Sequence, residues 1–267
     1  MTNVYIHGHH ESVLRSHRWR TAENSAGHLL PLLEPGMRLL DIGCGPGTIT
    51  MDLADLLGPD GRVTALERTE SALDLARGEA ARRGTANVEL VVGNVQALDL
   101  PDDSYDVVHA HQVLQHVDDP VRALQEMRRV CRPGGVVAVR DSDYGGFAWH
   151  PRVDELDRWL EVYVAVARSH HAEPDAGRRL LSWAQAAGFT EVSASSSTWC
   201  YATPAERAWW GGLWADRVVD SDLARQAVER GVATADELVA IAGGWRRWAE
   251  QDDGWFSVLH GEILARA

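Results

Sequence analysis

The sequence predicts an α/β fold, a mostly parallel sheet covered by helices on both faces. Three observations carry the expectation. Short β-rich apolar runs alternate with helical runs from Met37 onward, a glycine-rich turn joins the first such run directly to a helix, and the helical runs stop at glycine or Pro-Gly signals. Strands separated by helices of this length form right-handed crossover units, which place all strands in one direction and a helix layer on each face.

"MRLLDIG" (37–43) reads as a strand entering the glycine turn, "TITMDLADLLG" (48–58) as a helix closed by Gly58, and "GRVTALE" (61–67) as the next strand. "ESALDLARGEAARRG" (70–84) is a helix with a glycine stop, and "NVELVVG" (87–93) and "YDVVHAH" (105–111) are the third and fourth strands. "DPVRALQEMRRVCRPGG" (119–135) reads as one helix ended by Pro-Gly-Gly, followed by the strand "VVAVRD" (136–141). Beyond Asp141 the sequence predicts helices near 152–170 and 176–187, a strand near 191–199 and a last strand at 255–266. Residues 203–253, between those two strands, carry helical patterns and five tryptophans, which suggests a helical cap at the ligand edge of the sheet.

Composition narrows the class. With 267 residues, 45% hydrophobic and 24% charged, the chain can bury a full core. No run approaches the apolar length of a membrane span, and the N-terminus lacks a secretory pattern, so a cytoplasmic protein is expected. A formal charge of −13 with no concentrated basic patch argues against nucleic acid as a partner. Cys44, Cys131 and Cys200 are too few and too scattered for a disulfide framework or a three-thiolate site. Eleven Trp stand against three Phe, and ten of the eleven lie from Trp149 onward.

The strongest chemical signal is "LLDIGCGPGT" (39–48). Glycines let a ligand approach the backbone, and the helix start supplies free N–H groups. The pattern is G-x-G-x-G, not the G-x-G-x-x-G of dinucleotide loops, and Asp41 precedes it by two residues. A carboxylate there repels a pyrophosphate by several kcal/mol at order of magnitude and attracts an ammonium group. A cofactor with an amino-acid head, an adenosine and no phosphate satisfies the loop, and S-adenosylmethionine is such a cofactor. Glu67, at the end of the second strand, stands 24 positions after Gly43, near the offset of about 20 at which an acid takes ribose hydroxyls. "GNVQALDLP" (93–101) can set the Asn94 amide and the Val95 backbone against an adenine edge.

These stretches, with "GNVQALDLPDDSYDVVHAHQVLQHVDDP" and "RRVCRPGGVVAV", resemble class I S-adenosylmethionine-dependent methyltransferases, in the branch of the ubiquinone and menaquinone C-methyltransferases. The resemblance covers residues 30–142 and implies a Rossmann-like, seven-stranded sheet with an antiparallel last strand. It implies that Asp41, Gly43, Cys44 and Gly45 face the methionine part of the cofactor, Glu67 the ribose, and Arg68, Asn94 and Val95 the adenine, with His111 beside the methionine end. Asn94 stands where many relatives carry Asp, and His111 where a small residue is usual. The domain organisation expected is a single methyltransferase domain over 1–267: N-terminal lid helices (1–33), a cofactor-binding core (34–142), cap segments (143–172 and 201–253) and a closing strand (255–266).

Methyl transfer is an in-line displacement, so alignment supplies much of the rate and a base is optional. Candidates for a base are His111, His116, Asp141, Asp143, Tyr144 and His150, with His111, His116 and Tyr144 the leading catalytic residues. "DSDYGGFAWHP" (141–151) mixes polar and aromatic residues as a pocket wall does, which makes Asp143, Tyr144 and Trp149 substrate candidates. Trp210, with Trp209 and Trp214 at helical spacing, serves either a core or the underside of a cap. The expected acceptor is a small, apolar or aromatic organic molecule, handled by a monomer or homodimer. The alternative is a methyltransferase-like protein that binds the cofactor without transfer, as a scaffold or cyclisation catalyst.

"YIHGHHESVLRSH" (5–17) holds four histidines. His10 and His17 are seven apart, about 10.5 Å along a helix, too far to share one ion, so no metal is expected. Thr21 can cap a helix whose Ala22, Ala26, Leu29, Leu30 and Leu33 pack on the sheet. In the family the segment before the first strand folds over the cofactor, which makes Tyr5 and Arg20 cofactor candidates and His9 and His10 substrate candidates.

Overall fold

The computed structural model describes residues 11–267. Helix α1 (Glu11–Arg18) and a short α2 (Ala22–Ala26) precede strand β1 (Arg38–Ile42). Then follow α3 (Thr48–Leu57), β2 (Arg62–Glu67), α4 (Glu70–Arg83), β3 (Val88–Val92), β4 (Tyr105–His111), α5 (Pro120–Val130), β5 (Cys131–Ser142) and β6 (Ala148–His150). The chain closes with α6 (Asp154–Ser169), α7 (Leu180–Ala186), β7 (Val192–Tyr201), α8 (Pro204–Asp220), α9 (Asp222–Glu229), α10 (Ala235–Ala249) and β8 (Trp255–Arg266). Two compact units result: a larger one of residues 17–142, 176–197 and 260–267, and a smaller one that includes 143–175 and 198–259.

The larger unit holds the sheet, in the order β3-β2-β1-β4-β5-β8, with β7 also paired to β8. Strands β1 to β5 run parallel, and β8 joins β5 antiparallel, Val136 opposite Arg266 through Ser142 opposite His260. The chain starts at β1, moves outward to β3, then returns to the other side of β1 as β4. That reversal falls between β1 and β4, and ligands of such sheets bind beyond the carboxyl ends of the strands at such a point. One face is covered by α2 and α3 through Ala22, Ala26, Leu29, Ile49 and Leu53; the other by α5 and α7 through Ala123, Leu124, Met127, Leu180 and Ala184.

Local chemistry explains the element ends. Thr21 forms a capping box with Asn24, as its position predicts, although the helix stops after five residues and Leu30–Leu32 continues as a 3-10 turn containing Pro31. Helix α5 ends at Val130 and not at Gly135. The residue before a proline avoids the helical region, so Pro133 ends the helix early, and Cys131 already opens β5 in extended conformation. The Pro-Gly-Gly stretch becomes an irregularity between the pairs Tyr105–Cys131 and Val107–Val136. Strand β6, three residues inside a segment expected to be irregular, is too short to show alternation and exists because Trp149 pairs with Phe256 of β8.

The smaller unit is an aromatic core wrapped by α6, α8, α9 and α10. Phe256 stacks on Trp149 at 5.6 Å and 7°, while Trp245, Trp248, Trp210 and Trp159 meet its ring at 5.3 to 6.2 Å. Capping boxes at Thr203–Glu206 and Thr234–Glu237 start α8 and α10. Small residues let the helices close up: a methyl group at Gly211 would lie 2.8 Å from Ala249, and one at Gly244 only 2.4 Å from Glu155.

Trp245 is completely buried at the centre of this cluster, touching Trp159, Trp214, Trp248 and Phe256. Trp245→Ala is expected to lower unfolding free energy by about 3–5 kcal/mol in urea titrations followed by circular dichroism. A loss under about 1 kcal/mol would show that the ring is not central to the core.

Candidate functional site

The glycine turn after β1 is built from three left-handed residues, Gly43 (φ 69°), Gly45 (φ 53°) and Gly47 (φ 82°). They are glycine for two reasons. A methyl group at Gly43 would strike Val113 at 2.5 Å and one at Gly47 would sit 3.1 Å from Ala76, so these two serve packing. A methyl group at Gly45 would meet nothing within 4 Å, so there the backbone faces open space. Glu67, at the end of β2, bridges this region: Oε1 accepts from the Gly45 N–H at 3.1 Å and Oε2 from the Arg68 N–H at 2.9 Å.

Asp41 turns inward. Oδ1 lies 2.7 Å from Nδ1 of His109 on the paired strand β4, Oδ2 accepts from the Thr50 hydroxyl on α3, and the residue is buried. The carboxylate is therefore held by His109 and Thr50 and offers no open contact. Cys44 is buried beside it; burial first, then the charges of Asp41 and Glu67, hold its thiol far above the ordinary range, so the thiol stays neutral. Cys131 lies at the starting end of β5, at the far edge of the sheet, and is pushed up to about 12, chiefly by burial. Among the described residues no group of three His, Cys, Asp or Glu is placed to hold a metal.

Beyond β3, Asn94 is exposed and Val95 buried; the Asn94 side-chain oxygen accepts from the Gln96 N–H at 3.0 Å. At the end of β4, His111 is buried and its pKa is driven well below the usual value by burial, then by Arg20, Arg140, His260 and His109. His116, on the 3-10 turn Leu114–His116, is lowered to about 4 by burial, with Arg20 and Arg68 adding to it. Its Nε2 faces the Gln115 amide nitrogen at 3.0 Å. Arg20 reaches the same edge and donates to Gln112 at 2.6 Å. The larger unit thus brings together Arg20, Asp41, Gly43, Cys44, Gly45, Glu67, Arg68, Asn94, Val95, His111 and His116. Tyr5, His9 and His10 lie outside the described residues.

Four predicted residues belong to the smaller unit. Asp143 is buried, and its N–H donates to the carbonyl of Leu259 at 3.0 Å. Tyr144 stacks on Tyr163 at 4.0 Å and on Phe147 at 4.4 Å. Trp149 packs on Phe256, and Trp210 stacks on Tyr201 at 4.4 Å and 12°, so both indoles are components of the aromatic core.

Sequence reading singled out His111 but passed over the other members of a row of polar residues on one sheet face. His111 of β4, Arg140 of β5 and Glu262 of β8 are buried and opposite one another on adjoining strands, with buried His109 two residues earlier on β4. Arg140 donates to Glu262 at 3.1 Å and to Ser197 at 3.0 Å, and Ser195 donates to Glu262 at 2.9 Å. His28, 3.8 Å from Glu262, is lowered to about 4 by burial, which the carboxylate opposes. The signal was present: "VVHAHQV", "VVAVRDS" and "VLHGEILA" put polar residues at alternate positions of otherwise apolar strands.

The loop and Glu67 fit a cofactor carrying an ammonium and a ribose diol, since Gly45 offers open backbone and the carboxylates of Asp41 and Glu67 border the loop. Comparison with known proteins agrees. The family profile described as a methyltransferase domain matches residues 33–190. An uncharacterized methyltransferase of Schizosaccharomyces pombe is 33% identical over 275 residues, covering 97% of this chain and 95% of that protein. A demethylmenaquinone methyltransferase of Geobacillus stearothermophilus is 38% identical over 110 residues, 41% of this chain and 47% of its own. The YcgJ protein of Bacillus subtilis has a similar fold, with a TM-score of 0.57 at 18% identity over 90% of this chain and 96% of that one.

Asp141, in β5 one residue before its last, gives a measurable consequence. It is fully buried; Oδ1 accepts from the Gln115 N–H at 3.1 Å, Oδ2 has no hydrogen-bond partner, and burial raises its pKa to about 7. The folded carboxyl holds its proton more tightly than the unfolded one, whose pKa is about 3.9, so its stabilising effect is complete below about pH 4 and lost as pH rises through 7. Asp141→Asn removes this titration. Urea unfolding at pH 5 and pH 8 is expected to show wild type losing about 2 kcal/mol relative to the variant. Parallel pH dependence in the two proteins would refute a buried, protonated Asp141.

Proposed function

The chain belongs to the S-adenosylmethionine-dependent methyltransferases, and we propose that it methylates a small, apolar or aromatic organic acceptor. The observation that carries the donor part is the pairing of an open Gly45 backbone with the Glu67 carboxylate at the ends of β1 and β2. S-adenosylmethionine supplies an electrophilic methyl group on a sulfonium centre.

In this reading Gly43, Cys44 and Gly45 lie along the methionine part, and the charge of Asp41 favours its ammonium across the loop. Glu67 exchanges its backbone contacts for the ribose hydroxyls, a bidentate pairing that suits a carboxylate. Arg68, Asn94 and Val95 flank the adenine, and Arg20 and His111 close the methionine end. His111 and His116 are uncharged at neutral pH because burial disfavours the cation, so either is able to accept a proton. Nε2 of His116 faces the Gln115 amide, and His111 and His116 are both candidates for the base where the acceptor needs one.

The acceptor reading is supported by composition and by kinship. The formal charge of −13 disfavours polyanions, the smaller unit is built on an aromatic core, and the similar proteins include one named for a quinone substrate. Asp143 and Tyr144 are the acceptor-side candidates of that unit, with Trp149 and Trp210 shaping it through the core.

Two measurements test the proposal. Glu67→Ala is expected to raise the calorimetric Kd for S-adenosylmethionine about 10- to 100-fold with little change in unfolding midpoint; an unchanged Kd would remove Glu67 from the donor site. Incubation with S-adenosylmethionine and a panel of quinols, phenols, aliphatic amines and oligonucleotides should release S-adenosylhomocysteine with the aromatic members. Turnover confined to amines or oligonucleotides would overturn the acceptor class.

A further inference from the structure

Gln112, immediately after β4, takes a left-handed backbone conformation with φ 55°, which costs a residue with a side chain about 1–2 kcal/mol. The side chain shows what holds it there. Oε1 accepts from Nη2 of Arg20 at 2.6 Å, while Nε2 donates to the Ser142 hydroxyl at 2.6 Å and lies 2.9 Å from Nε2 of His260. A guanidinium only donates, so the amide oxygen must face Arg20 and the NH2 group must face Ser142 and His260. Nε2 of His260 is therefore the acceptor, and the ring hydrogen resides on Nδ1. His260 is completely buried, with its ring 6.0 Å from that of His111. One amide thus joins the segment before β1 to the end of β5 and the middle of β8.

We propose that Gln112 is a positioning residue for methyl transfer: its amide fixes His260 as a neutral, Nδ1-protonated imidazole and holds Arg20 at the end of β4. The two effects are linked, because the amide orientation that receives Arg20 is the one that presents its hydrogens to His260 and Ser142. The proposal rests on the donor reading of this edge given above. It differs from a purely structural role in tying the placement of Arg20 to donor affinity and the His260 tautomer to the rate of transfer.

Gln112→Gly and Gln112→Glu separate the possibilities. Glycine accepts φ 55° freely, which offsets part of the stability lost with the contacts to Arg20, Ser142 and His260. Glutamate keeps Arg20 but can only accept from the ring, which forces a hydrogen onto Nε2 of His260. Imidazole tautomers are read by nitrogen-15 NMR, with a His260→Gln spectrum for assignment, and donor affinity by calorimetry with S-adenosylmethionine. The expected results are an Nδ1–H ring in wild type, mixed tautomers and an about tenfold weaker Kd in Gln112→Gly, and an Nε2–H ring with near-normal Kd but about tenfold lower kcat in Gln112→Glu. An Nε2–H ring in wild type overturns the proposal. Tight wild-type binding with an unaltered Kd and ring in Gln112→Gly overturns it while leaving the donor reading intact. Absence of any wild-type binding overturns the donor reading, and the role in methyl transfer with it.

Discussion

The buried pair of Arg140 and Glu262 is the constraint on which the ligand edge depends. Two charges taken out of water are tolerated only when each meets its partner with good geometry. Glu262 satisfies that condition: despite burial, which pushes its pKa up, hydrogen bonds from Ser197 and Ser195 and the charge of Arg140 hold it below the ordinary range. These bonds come from β5, β7 and β8, so they fix the register of the closing strands. Slipping β8 by one residue would turn Glu262 to the other face and strand Arg140 without its partner. The register that results sets Ser142 opposite His260.

From that register the rest of the edge follows. His260 and Ser142 form one side of the Gln112 amide, and Arg20 forms the other. The adjacent row, Asp41 with His109 and Thr50, binds the acidic residue of the glycine turn into the sheet. Its charge is thereby kept under the loop at a fixed place, while Glu67 retains backbone contacts that a diol can replace. The site combines a rigid inner layer of satisfied polar groups with an outer layer at Gly45 and Glu67 that is open to exchange.

The smaller unit achieves its rigidity by different physics. Its rings meet mostly edge to face or offset, arrangements that suit aromatic quadrupoles and fill space densely. This explains the excess of tryptophan in the second half of the chain: the rings are the core of α6, α8 and α10. Buried indoles such as Trp159 and Trp245 find no conventional acceptor for their N–H groups, and they pack edge to face on each other.

The sequence alone determined the parallel strands, the first helices and the glycine turn, because each is written in local periodicity and in residues with special backbone freedom. Gly43, Gly45 and Gly47 announce a ligand loop, Thr21 announces its cap, and Glu67 is recognisable by its spacing. It also determined the family, since the ordered motifs carry both fold and chemistry. Tertiary structure alone decided that Pro133 ends α5 early, that β6 exists, that Asp41 turns toward His109, and that Trp149 and Trp210 are core. It alone brought Arg20, Gln112, Ser142 and His260 together from four places in the chain. The physical reason is that satisfaction of buried polar groups is a property of strand register, which pairs residues far apart in sequence and leaves no local pattern beyond a polar side chain where an apolar one would be expected.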